Sequence, residues 1–168
     1  RLTDRPLPAY RFSGPPQPHP TRHPAGHSYG LVAGDGAADA AALARGLWRE
    51  SAGYCYGVDL YNYAYWWEAH ETWEGVWQRF ELGDALRHGL QVMIQVSVVH
   101  LLRHRGTADA ARRLLARAEW HLARSGSGNT PVGGVELADW FDSAVRPYFS
   151  GEHHAYPFLC PTAPLGER

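Results

Sequence analysis

The chain contains no lysine; all sixteen basic residues are arginine. That excludes a lysine nucleophile, Schiff-base chemistry and a Walker-type phosphate loop with its lysine. Cysteine is scarce. Cys55 and Cys160 form no CxxC and no disulfide framework, which fits a reducing cytoplasm. An excess of charge of either sign is missing too. A net charge of −1 over 168 residues gives no bulk electrostatic reason to bind nucleic acid or an anionic membrane. No long apolar run is present. VMIQVSVVHLL at 92–102 is too short and too polar to span a bilayer, and the N-terminal residues lack a basic-then-apolar signal pattern. A cytoplasmic protein with no nucleic-acid and no membrane partner is the expectation. GxSxG, a Gly-rich phosphate loop and the alternation of a β-strand are all lacking as well.

What is there suits one domain with a sizeable core: 45 % apolar and 20 % charged residues, with seven Trp and nine Tyr. Residues 1–34 hold seven of the twelve prolines. Each proline removes a donor and pushes its predecessor toward extended geometry, so this stretch predicts an arm that wraps the body or stays loose. His19, His23 and His27 are spaced by four. In extended chain that is ~13 Å, too far to share an ion without a turn.

From residue 35 the texture is helical. One helix is expected over 37–62, interrupted near Gly53 and Gly57, and a second over 63–80. A third, capped by Asp84, runs to about Arg105, where Gly106 stops it. Thr107 is placed to cap a fourth, ending near Arg124. SGSGNTPVGG reads as a flexible loop, and a fifth helix covers roughly Val135 to Phe149. The expected fold class is all-α. It is an irregular bundle of about five helices over 35–150, with the Pro-rich arm at 1–34 and a coil tail at 151–168.

The residues that could do chemistry lie in WWEAHETWEGVW, 66–77. On a helical wheel His70 and Glu74, at i and i+4, point at one spot. That is the geometry by which HExxH presents two ligands to zinc, here with the second His replaced by Glu. His70 and Glu74 are the candidate metal ligands, and Glu71 a further ligand or the general base. Glu68 falls within the same acidic arc. The third helix is apolar apart from Gln91, Gln95, Ser97 and His100. Gln91 and Gln95 share a face, and a buried amide without partners costs ~1–3 kcal/mol, so both want polar partners from the second helix. His100 points away and pairs with His104 at i+4, near a helix end that favours solvent.

These residues also carry a resemblance. Leu60-Tyr61-Asn62, Tyr65-Trp66-Trp67-Glu68-Ala69-His70-Glu71, Trp73-Glu74 and Trp77 resemble the signature of the bacterial and archaeal family called domain of unknown function 309. Leu90-Gln91-Val92-Met93-Ile94-Gln95 is similar to its second motif. The likeness covers roughly 56–124. It implies a small all-helical domain, with Glu68, His70, Glu71, Glu74, Gln91 and Gln95 as the functional candidates. Some members are labelled predicted metal-dependent hydrolases. Ala64 and Val92 stand where that family commonly has Gly, and Ser97 where it has a small Ala. The arm and tail lie outside the likeness.

Two expectations follow. In the first, His70, Glu74 and a third ligand hold a divalent metal (Zn, Mn or Fe, by the His/carboxylate donor set), with Glu71 acting on a small-molecule substrate in a hydrolytic site. In the second, the same residues form a buried hydrogen-bond network that fixes helix packing, and the domain is no enzyme but works through a homodimer or a protein partner. An organic ligand held among the Trp and Tyr side chains is a third course.

Overall fold

The computed structural model describes residues 1–31, 34, 36–126 and 131–162. Among these the chain is all-helical apart from one isolated bridge between Val132 and Val135. Helix α1 spans Ala37–Ala44 and α2 spans Ala52–Asn62, with a 3-10 turn at Trp48–Glu50 between them. Helix α3 is Trp66–Trp77, α4 is Ala85–His104 and α5 is Ala108–Leu122. The last helix, α6, is Leu137–Trp140 and Arg146–Ser150 joined through a π turn at Phe141–Val145. No helix of the described residues is long and apolar enough to cross a membrane.

Local chemistry explains most boundaries. Asp84 caps α4 as expected, its carboxylate accepting the Leu86 N–H at 2.7 Å. Thr107 precedes α5 but does not cap it with its side chain; its hydroxyl donates back to the Leu102 carbonyl at 2.7 Å. The expected interruption near Gly53 and Gly57 falls earlier, at Arg45–Ser51, where Gly46 turns with φ 75°. Gly57 stays inside α2 because a β-carbon there would overlap the buried Trp73 indole. The glycine is what lets α2 and α3 approach.

Helix α3 packs on α2 and α4, and α4 packs on α5. The core between them holds Tyr54, Leu60, Tyr61, Trp73, Leu90, Met93 and Phe141, all fully buried. Most of its aromatic N–H and O–H groups are satisfied, as burial favours, with the Trp48 indole N–H the exception. Trp73 Nε1 donates to the Tyr54 carbonyl at 3.2 Å, and Trp66 Nε1 to the Tyr156 hydroxyl at 2.8 Å. Tyr156 in turn donates to the Tyr61 carbonyl at 2.7 Å. His100 is buried in the same seam. It lies 3.1 Å from the Tyr61 hydroxyl, with its ring stacked on Trp66 at 4.9 Å.

Both flanking segments dock on this body. In the tail, Asn62 exchanges two hydrogen bonds with the Leu159 backbone, at 2.8 and 2.9 Å, and Leu159 is buried. The arm is held by two buried carboxylates. Asp59 accepts the Leu2 and Thr3 N–H groups at 2.6 and 2.9 Å and the Thr3 hydroxyl at 2.7 Å. Glu68 accepts the Phe12 N–H at 3.0 Å and pairs with His27 Nε2 at 2.9 Å. The second half of the arm is a run of turns rather than extended chain: His23 N–H bonds the His19 carbonyl at 3.1 Å and Gly26 N–H the His23 carbonyl at 2.8 Å. Of the loop expected at 125–134, residues 127–130 lie outside the described residues, as do 163–168 of the tail.

Candidate functional site

The second and third turns of α3 build the site. Helical spacing puts His70 and Glu74 on one face, and Glu71 swings beside them. One ligand atom from each of His70, Glu71 and Glu74 falls within 4.8 Å of the others. His70 Nε2 lies 3.3 Å from Glu71 Oε1, with the His70 side chain 14 % exposed and that of Glu71 45 %. His70 is thus the inner member and Glu71 the outer. The Trp67 ring meets His70 edge-on at 5.6 Å and walls the cluster on one side.

The two carboxylates differ in proton affinity. The hydrogen bond from His70 holds Glu71 below the usual carboxylate range, helped by the charges of His70, His19 and Arg22 and opposed by partial burial. Burial raises Glu74 above that range, against the pull of His70 and with a further push from Glu71. One acid is held as the anion and its neighbour is the better proton acceptor, a split that acid–base chemistry uses.

Three other candidates lie differently. Glu68 is buried and turned to the arm, where Phe12 and His27 share its Oε1. Gln95 is buried in α4, and its carbonyl oxygen has no hydrogen-bond partner. Among the described residues neither Gln91 nor Gln95 hydrogen-bonds to His70, Glu71 or Glu74. Buried Glu68 Oε2 and His70 Nδ1 also lack partners. Such orphaned atoms are rare in a finished interior, because each costs the desolvation of a polar group.

The sequence reading missed the arm's part in this neighbourhood. His19 meets Trp67 edge-on at 5.3 Å, on the ring that also touches His70. Arg22 joins His19 in stabilising the Glu71 anion. The available signal was PTRHPAGH itself: proline and glycine at short spacing make turns, and turns bring histidines four apart together.

An all-α bundle with a His/Glu cluster on one inner helix is the class that fold and site define. Residues 54–114, from α2 into α5, match the family described as Domain of unknown function (DUF309). The matched segment contains all six candidate residues, together with Asp59, which anchors the arm. No curated protein and no solved structure matches the chain at a significant level.

Proposed function

We propose that the chain is a divalent-metal-binding protein whose site is His70, Glu71 and Glu74, and that it uses the ion for hydrolysis. The observation that carries this is the convergence of three ligand atoms within 4.8 Å around a histidine whose Nδ1 is buried and unpartnered. An imidazole with two carboxylates and no thiol suits Zn, Mn or Fe(II). His70 and Glu71 as ligands, with Glu74 left as a proton acceptor, would leave coordination positions open, as catalytic sites do.

A divalent ion bound there supplies Lewis acidity and lowers the pKa of water. The chain's own residues do the rest. His70 and Glu71 would hold the ion, which exchanges the ligand and base roles that the sequence suggested for Glu74 and Glu71. Glu74, with the higher proton affinity, is placed to take a proton from an attacking water and return it to a leaving group.

The other reading, a buried network that fixes packing, has less support at these residues. A closed network would pair His70 Nδ1, Glu68 Oε2 and Gln95 Oε1, and all three lack partners. The core's paired polar seam is instead built by Tyr61, His100, Tyr156 and Trp66.

The test is metal content by mass spectrometry of untagged protein purified without chelator, with His70→Ala beside it. About one ion per chain, lost in the variant while the helical circular dichroism stays, is the expected result. No ion in the native protein after addition of zinc, manganese and iron refutes the reading.

A further inference from the structure

The turns of the arm enclose a hollow of about 550 Å³ that opens to solvent. Gln17, His19, Arg22 and His23 line it, with prolines and Ala25 as the apolar remainder and no carboxylate. Neighbouring groups occupy the acceptor atoms of the polar side chains. Gln17 Oε1 accepts the Ser13 N–H at 2.8 Å and its hydroxyl at 3.3 Å, which leaves the Gln17 NH₂ free to donate. His23 Nδ1 accepts the Ala25 N–H at 3.1 Å, and His19 Nδ1 accepts the Thr21 N–H at 3.4 Å. An imidazole that accepts at Nδ1 carries its proton on Nε2 and donates there even when neutral. Arg22 has donors only, and among the described residues it makes no ion pair.

We propose that Gln17, His19, Arg22 and His23 form a binding site for a tetrahedral oxyanion, the phosphate group of a small phosphate ester. Four side chains with donor groups and no carboxylate line one concave surface; the Glu71 anion that His19 and Arg22 stabilise lies outside that lining. Arginine's planar fork suits phosphate oxygens, and a dianion uses more donors than a carboxylate can. The hollow lies near the His70, Glu71 and Glu74 cluster, because the Trp67 ring meets both His19 and His70 edge-on. Phosphate-ester hydrolysis as the reaction of that cluster rests on the metal reading; the anion site does not.

Phosphate binding to the full, chelator-treated chain, followed by calorimetry with inorganic phosphate at constant ionic strength and neutral pH, tests it. Saturable millimolar binding is expected, weakened about tenfold or more by Arg22→Gln. Arg22 is exposed, so the variant should keep the native circular dichroism. His70→Ala should bind phosphate as the native chain does, and so should Arg112→Gln, which removes an exposed arginine of α5. Zinc or manganese should tighten phosphate binding in the native chain and not in His70→Ala.

No saturable binding overturns the proposal. So does an equal loss in Arg112→Gln, or acetate competing as well as phosphate. If the native chain takes up no metal while Arg22→Gln still loses phosphate, the metal reading fails and the anion site stands. If metal binds through His70 and phosphate is indifferent to Arg22→Gln, the reverse holds.

Discussion

Ala64, just past the end of α2, has φ 62°, the one non-glycine residue with positive φ among those described. Its N–H bonds the Tyr61 carbonyl at 2.9 Å, and the next N–H, of Tyr65, bonds Leu60 at 2.8 Å. This left-handed turn lets α3 start two residues later, at Trp66, and so sets the direction of the helix that carries His70 and Glu74. A β-carbon in that conformation costs roughly 1–2 kcal/mol, because it crowds the following carbonyl. Ala64→Gly should therefore raise stability by about 1 kcal/mol, less what glycine gains in unfolded-chain entropy. Urea denaturation measures it; an unchanged or lower midpoint would show that the turn is unstrained.

At the scale of elements the arm is the instructive case. Asp59 and Glu68 belong to α2 and α3, yet the groups that satisfy them come from residues 2–27. Without the arm the two carboxylates lose these donors, and whichever charge stays buried and unpaired costs several kcal/mol. Two opposite signs follow. In the full chain Asp59→Asn and Glu68→Gln should destabilise, since each trades a charged acceptor for a weaker one. In a chain lacking residues 1–31 the same substitutions should stabilise, since a neutral amide is cheaper to leave unpaired. Denaturation of the four variants beside their two parent chains reads both signs, and destabilisation in both backgrounds would mean that the carboxylates do not depend on the arm. The start of α2 was misplaced, whereas helices α3 to α5 were legible in the sequence because period and breakers agreed over long segments. So was the His70–Glu74 convergence, a consequence of helical spacing alone. The destination of Glu68 was not. A helical wheel places it beside Glu71, and only tertiary docking of a proline-rich segment decides that Phe12 and His27 claim it. The π turn in α6 was equally hidden, since FDSAV carries no local signal for it.

For the whole molecule, buried titrating groups set the pH range in which the fold holds. Burial among Trp66, Tyr61, Tyr148, Phe149 and Tyr156, with Arg103 adding to it, pushes His100 down to about 3. His121, beside His88 at 2.8 Å and near Arg117 and Arg124, falls to about 4, mainly through desolvation. An unfolded histidine protonates near ~6.5. As pH falls below that, the unfolded chain binds protons that the folded chain refuses, so stability is lost. The loss approaches ~1.4 kcal/mol per pH unit for each fully titrating group. It continues toward about 4 for His121, whose partial exposure softens it, and toward about 3 for His100. On the alkaline side burial raises Cys55 to about 11 and lifts Tyr54, Tyr61 and Tyr156 above the usual phenol range. There the unfolded chain ionises first and stability falls again with rising pH. The melting temperature should therefore be flat from about pH 7 to 8 and decline on both sides. His100→Gln keeps a group able to meet the Tyr61 hydroxyl while removing the buried titration. It should lower the plateau by the loss of ring stacking on Trp66 yet flatten the slope between about pH 6.5 and 4. A slope unchanged in that variant would assign the acid limb to other groups.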